Sequence, residues 1–323
     1  MPVRQAGSAD AVTPATEGSR SALGPAEAAG RRAVPKELAD AYRRCADLHR
    51  RHGRTYYLAT RLLPAWKRPH VHALYGFARH ADEIVDSLDA TAPAERARRL
   101  ADLSARLHAG LRGEPVDDPL LPAVLHTARA LRLDPADFTA FLDSMAMDLT
   151  VRRYADYPAL LRYMEGSAAV IGTLMLPVLG PAEPDAAREP ARQLGLAFQL
   201  TNFLRDVAED LARDRVYLPQ EDLARFGVGE GELRAAAAAG RATARIKRLM
   251  AYEIARARGH YAAALPGIGM LPGASGRCVR TAYLVYGAIL DEIERRDHDV
   301  FAGRAVVPAS RRITLLARGL LAR

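Results

Sequence analysis

The sequence predicts an all-α protein folded as one domain. Three observations carry this expectation. Ala, Leu and Arg, all strong helix formers, are abundant along the chain. Runs with the alternating pattern of a half-buried strand are scarce. Pro and Gly fall near the ends of the apolar-periodic segments. At 323 residues, 49% of them hydrophobic, the chain is long enough to bury a substantial core.

Residues 1–34 are rich in Ala, Gly, Ser, Pro and Thr and read as a disordered tail. From Pro35 the periodicity predicts helices over 36–50, 55–64 and 68–88, with Pro64 and Pro69 marking the gap between the last two. Helices over 93–112, 118–131 and 135–149 follow, with Gly113 as a stop and Pro135 as a start. The pattern then predicts one helix over 156–179, entered near Pro158 and left at Gly180, and a long one over 185–213. Segments 230–241, 242–264, 274–296 and 309–321 complete the set after a break near Gly227. No fixed-period repeat and no shift in composition divides 35–323 into two cores.

The net charge of +8 suits anionic partners such as phosphates, nucleic acid or acidic lipid. Aromatic residues make up 6% of the chain, few platforms for stacking bases, so nucleic acid is not an expected partner. Cys45 and Cys278 are far apart and without metal-ligand spacing, which argues against a disulfide framework or zinc site. The N-terminal stretch lacks the apolar run of a signal peptide. No run of about 18 apolar residues suggests a transmembrane helix. The expectation is a cytoplasmic protein with reduced thiols, resting at most against a membrane.

Two stretches carry chemistry. In RHADEIVD (79–86), Asp82 and Asp86 lie one helical turn apart and share a face, with Arg79 three residues before the first. In QLTNFLRDVAEDLARDRVYLP (199–219), Asp206 and Asp210 repeat the spacing behind Arg205, with Asn202 and Gln199 on the same face. Like charges at that spacing weaken an isolated helix by roughly 0.2–0.5 kcal/mol. Carboxylate and amide oxygens suit Mg²⁺, which shares its shell with water and substrate phosphates. Two such ladders face to face, with arginines for the remaining phosphate oxygens, would stabilise a departing diphosphate.

The stretch 54–86, the second ladder with its trailing R-x-Y-L-P, YMEGSAAVIG (163–172) and YGAILDEIERRDHDVFAGRAVVP (286–308) together resemble the phytoene/squalene synthase family, nearest to its bacterial, actinobacterial-type phytoene synthases. The resemblance spans roughly residues 45–310 and implies a class I terpenoid synthase bundle, with helices around a central cavity. It implies that Asp82, Asp86, Asp206 and Asp210 bind Mg²⁺-diphosphate, with Glu83 and Asn202 completing the metal set and Mn²⁺ as an alternative ion. Tyr286 is implied at the reacting intermediate. His52, Arg54, Tyr75, Arg79, Gln199, Arg205 and Arg304 are implied at the substrate, with Arg215 and Tyr217 on a loop that covers the site.

The sequence departs from the family pattern in three places. Glu83 stands where many relatives have Asp, and a carboxylate remains. Met164 follows Tyr163 where Cys is frequent. His52-Gly53-Arg54-Thr55 replaces a Ser-Lys-Ser pattern, keeping positive charge but not lysine geometry. His70, His72 and His80 read as surface or capping groups, and RRDHD (295–299) as a solvated helix end. The small residues Gly166, Ala168, Ala169 and Gly172 read either as close helix packing or, as the resemblance implies, as the lining of a tunnel for a prenyl chain, and Thr60 leaves room for a long one.

The resemblance implies head-to-head joining of two geranylgeranyl diphosphates to phytoene without NAD(P)H, in contact with a membrane surface and neighbouring carotenoid-pathway enzymes. The alternatives are an enzyme using farnesyl diphosphate to make presqualene diphosphate, squalene or dehydrosqualene, and a non-catalytic assembly factor. The assembly factor would be expected to have lost ladder acids, whereas this chain keeps all four.

Overall fold

Local sequence sets many of the helix ends. In a computed structural model, which describes residues 33–86 and 92–321, Pro135 and Pro158 occupy first-turn positions. There Asp134 and Asp156 cap the helices by accepting from the Ala136 and Ala159 backbone N–H groups. Gly180 ends its helix in the left-handed region at φ 72°, a conformation that costs other residues more. The expected tail lies outside the described residues except for 33 and 34.

After a short 3₁₀ turn at Lys36–Leu38, the helices begin with α1 (Ala39–His52), α2 (Arg54–Thr60) and α3 (Lys67–Asp86). They continue as α4 (Pro93–Leu111), α5 (Leu121–Leu131), α6 (Pro135–Thr150) and α7 (Tyr157–Met164). A π turn (Glu165–Ala169) leads into α8 (Val170–Leu179), followed by α9 (Pro184–Arg205) and α10 (Val207–Ala212). The rest are α11 (Gln220–Arg225), α12 (Glu230–Ala239), α13 (Ala244–Gly269), α14 (Gly273–Arg295) and α15 (Ala309–Leu321). Among the described residues there is no strand, only one isolated bridge between Arg153 and Val216. No described helix is long and apolar enough to cross a membrane.

Four expectations need correction. The helix expected over 55–64 stops at Thr60, and turns carry the chain to Lys67. The one over 156–179 is interrupted by the π turn. That over 185–213 breaks at Asp206. The one over 242–264 runs on to Gly269 through Pro266, where Gly267 packs directly on Pro190 of α9. Residues 87 and 88, expected to end α3, lie outside the described set. The short α11 carries no periodic signal and was not expected.

Two groups of buried side chains flank the centre. Phe77, Leu103, Leu107 and Phe138 belong to the side built by α3–α6 and α8. Leu196, Leu204, Ile246, Leu249 and Leu290 belong to the side built by α7, the π turn and the elements from α9 onward. Each such side chain, removed from water, contributes roughly 1.5–3 kcal/mol. Between the two groups lies a cavity of about 360 Å³, walled by α1, α2, α3, the π turn, α8, α9, α13 and α14. Its lining is almost wholly apolar.

The small residues serve both readings offered for them. Ala168 and Gly172 line the cavity. They also let backbones touch: a Cβ on Gly172 would lie 2.2 Å from the Ala191 carbonyl oxygen, and one on Gly195 would lie 2.3 Å from that of Ala168. Gly166 turns away from the cavity, against Ser144 and the Ala140 carbonyl of α6. A Cβ there would lie 2.2 Å from that carbonyl, so Gly166→Ala should cost about 1–3 kcal/mol through overpacking. Thermal unfolding checks this. An unchanged Tm would show that the π turn tolerates displacement from α6.

Candidate active site

Each acid ladder follows cavity-lining residues along its helix: Asp82 and Asp86 come after Tyr75 and Ala78 on α3, and Asp206 and Asp210 come after Gln199 and Asn202 at the end of α9. On α3, Arg79 donates from Nη1 to Asp82 Oδ2 at 2.6 Å and from Nε to Glu83 Oε1 at 3.0 Å. His52 Nε2 lies 3.6 Å from the same Glu83 oxygen, so the basic residue before α2 reaches the first ladder. Arg54 is exposed at the start of α2. Thr60, buried, and Tyr56 line the cavity from the same helix.

The second ladder survives a break in its helix. Asp206 has φ −105° and ψ 16°, outside the α region, and separates α9 from α10. Yet the Asp206 N–H still bonds the Asn202 carbonyl and the Asp210 N–H bonds the Asp206 carbonyl, both at 2.9 Å. Asn202, Asp206 and Asp210 therefore remain stacked. Asp206 accepts from Arg205 Nε at 2.8 Å and from Arg304 Nε at 2.9 Å.

Arg304 reaches this point because its loop is pinned. The Asp299 carboxylate accepts from the Ala242, Phe301 and Ala302 N–H groups at 3.0–3.1 Å. Arg296 donates to the Gly303 and Arg304 carbonyls at 3.0 and 3.1 Å. The expected solvated helix end at 295–299 holds for Arg295, Arg296 and Asp297, which are exposed, and is corrected at Asp299, which is buried and shapes the loop.

The ladders are tied to each other across the site. Arg215, after α10, donates from Nη1 to Asp86 Oδ1 at 2.6 Å, and Arg213 donates to Asp86 Oδ2 at 3.2 Å. Arg215 is almost buried, with 8% of its side chain exposed. Tyr217 stacks on Phe203 with ring centroids 4.0 Å apart and donates to Asp148 Oδ1 at 3.2 Å. Tyr163 donates to the other Asp148 oxygen at 2.6 Å. Buried Asp148 anchors the segment that carries Arg215 and Tyr217, yet it carries no spacing signal, being a lone acid in MAMDLT. Burial raises its pKa, against the pull of the Tyr163 hydrogen bond.

Charge within the ladders is uneven. Burial, then repulsion from Asp86, pushes the Asp82 carboxyl up to about 6. Burial, then repulsion from Asp206, pushes Asp210 up to about 7. Asp206 is also raised by burial, but hydrogen bonds from Arg205 and Arg304 outweigh it and hold the group below the usual carboxylate range. Tyr286 stacks on Tyr56 at 4.8 Å and tilts against Phe198 at 4.7 Å, giving the site an aromatic wall.

A hard cation fits these residues. The donors are all oxygen, Asn202 Oδ1 is buried without a partner, and two carboxylates are held above their ordinary pKa by burial and neighbouring negative charge. Among the described residues, no three acids, histidines or cysteines converge closely enough to cage an ion by themselves. That suits an ion sharing its coordination with substrate phosphate.

The histidine expectation is corrected here as well. His70 is buried, with Nδ1 3.0 Å from Thr127 Oγ1, and half-buried His72 lies against His49. Cys45 and Cys278 are buried free thiols.

The squalene/phytoene synthase family model matches residues 49–311, a span that holds both ladders, Arg215, Tyr217 and Arg304. The chain belongs to the squalene/phytoene synthase family. It is 35% identical to a phytoene synthase of Arthrospira platensis over 88% of this chain and 93% of that protein. It is 35% identical to the 15-cis-phytoene synthase of Synechococcus elongatus over 88% and 94%. A solved dehydrosqualene synthase superimposes with a TM-score of 0.80 at 26% identity, over 88% of this chain and 96% of the other. A squalene synthase of Alicyclobacillus acidocaldarius gives 0.74 at 26%, over 82% and 97%.

The raised carboxyls give a signed pH dependence. A group with a higher pKa in the folded state stabilises the fold below its unfolded pKa, and that stability is lost as pH rises through the folded value. For Asp82 and Asp210 the window runs from 3.8 to about 6 and about 7. Without divalent cation, Asp210→Asn should therefore raise Tm relative to the parent protein, by a margin that widens from about pH 5 to about pH 8. Differential scanning calorimetry across that range tests it; a constant margin would contradict the assigned repulsion.

Proposed function

We infer that the protein is a phytoene synthase, joining two geranylgeranyl diphosphates head to head and releasing diphosphate. The observation that carries this reading is the placement of two arginine-bearing carboxylate ladders at the polar end of a long apolar cavity. Asp82, Glu83, Asp86, Asn202, Asp206 and Asp210 would hold Mg²⁺, or Mn²⁺ in its place. The bound metal supplies positive charge to the leaving diphosphate.

The remaining chemistry belongs to the chain. Arg79, Arg205, Arg215 and Arg304, each on a ladder carboxylate, present N–H groups to phosphate oxygens when substrate enters. Loss of diphosphate leaves an allylic cation, which alkylates the second substrate, and loss of a proton from the coupled cation closes the cyclopropane ring. Tyr56, Phe198 and Tyr286 offer aromatic faces to that charge. The apolar wall keeps water from capturing it. The resulting cyclopropyl diphosphate ionises again, rearranges and loses a proton, a sequence that consumes no reductant.

Contact with a membrane surface belongs to the same reading. Ile313 and Leu320 are exposed on α15 beside Arg312 and Arg318, which supports a helix face turned to anionic lipid. Neighbouring carotenoid-pathway enzymes are its expected partners. The likeness to dehydrosqualene synthase supports a second reading, with farnesyl diphosphate as substrate.

Purified protein given geranylgeranyl diphosphate and Mg²⁺, without NADPH, should yield phytoene detectable by chromatography. Product from farnesyl diphosphate alone would transfer the assignment to the second reading. Asp82→Asn and Asp206→Asn should each lower turnover on the order of 100-fold or more, since each removes charge from the diphosphate site. Their far-UV circular dichroism should stay that of the parent. Full activity in either variant would remove that ladder from the chemistry.

A further inference from the structure

His49 lies on α1, outside both acid motifs, and is completely buried. It lines the cavity. Its Nδ1 is 2.9 Å from Nδ1 of His72 on α3. Its ring lies flat against Tyr75, with centroids 4.1 Å apart and planes 13° from parallel, and meets Tyr57 edge-on at 5.6 Å. His72 stacks on Tyr57 at 5.4 Å. Rings from α1, α2 and α3 thus form one cluster. On α3 the series His72, Tyr75, Arg79, Asp82 and Asp86 runs up one face, so the cluster leads directly to the first ladder.

The second ring nitrogen of His49, Nε2, is buried without a partner. Phenylalanine would stack in the same place without burying an unpaired Nε2, at the cost of the bond to His72 Nδ1. Packing alone therefore does not account for histidine at 49, whereas the bond to His72 does. One imidazole donates and the other accepts, with both rings neutral. Burial, then the neighbouring His72, lowers His49 to about 3, while burial, then Arg68, lowers His72 to about 4.

We propose that His49 is a positioning residue: its bond to His72 sets the plane of its ring, and that plane holds Tyr75 at the polar end of the cavity. Gly53 confines Tyr75 on another edge, since a Cβ there would come within 2.7 Å of the phenol ring. The hydroxyl is left close enough to Arg79, Tyr286, Asp82 and Glu83 to feel their charge. The inference rests on the reading above only in taking the polar end of the cavity as the diphosphate site.

The test uses His49→Phe, Tyr75→Phe and the double variant, each with three readouts. These are Tm, turnover of geranylgeranyl diphosphate, and calorimetric affinity for inorganic diphosphate with Mg²⁺. His49→Phe should leave Tm close to the parent value, because removing the unpaired nitrogen offsets losing the bond to His72, yet lower kcat/KM and diphosphate affinity about tenfold through a loosened Tyr75. In the Tyr75→Phe background, the same change should have little further effect, because the hydroxyl that His49 places is already gone. Parent-like kcat/KM and affinity in His49→Phe, or effects that simply multiply in the double variant, would overturn the proposal. Protein that binds Mg²⁺-diphosphate but leaves geranylgeranyl diphosphate intact would overturn the phytoene synthase reading instead. The affinity cycle would then decide the role of His49 by itself.

Discussion

Carboxylates gathered at the end of an apolar cavity cannot all stay charged without cations among them. Burial and mutual repulsion raise Asp82 and Asp210, while Asp206 stays low because two guanidinium groups reach it. Much of the local architecture delivers those guanidiniums. The kink at Asp206 keeps its carboxylate beside Arg205, the Asp299 turn carries Arg304 to it, and the Asp148–Tyr163–Tyr217 anchor holds the segment from which Arg215 reaches Asp86. Without ligand, arginine satisfies the acids. With ligand, the same arginines are available to phosphate.

The cavity depends on the opposite kind of contact. Gly172, Gly195 and Gly267 bring α8, the π turn and α13 against α9 with almost nothing between them. Close backbone approach on these lines leaves the wall smooth and apolar. Polar atoms on such a wall are conspicuous. Asn202 Oδ1 and His49 Nε2, both on cavity-lining residues, are buried without partners. Each costs stability, and each is accounted for by the chemistry at that end of the molecule.

Much of this was legible in the sequence. The ladders repeat one spacing with one arginine placement, a pattern that survives because helical periodicity is local. The helix boundaries set by Pro135, Pro158 and Gly180 were legible for the same reason. The break at Asp206 was not, since no Pro or Gly marks it. Asp148 and His49 were not legible either, because each is a single residue whose partners lie far along the chain, and the burial of Asp299 depends likewise on distant Ala242. His70 and His72 were misread as surface groups because a histidine on a mixed helix face gives no sign of what packs over it.

What the sequence by itself determined is which atoms the site contains: two carboxylate pairs, their arginines and a chain of helices able to present them. Those features depend on neighbours within a turn or two, where backbone geometry is nearly constant. Tertiary structure alone decided which acids face one another, which arginine crosses between ladders and which histidine is stripped of water. These outcomes depend on distances between α3, α9, α10 and the loop after α14. Those distances are set by close packing of side chains remote in sequence, and packing has no period to read.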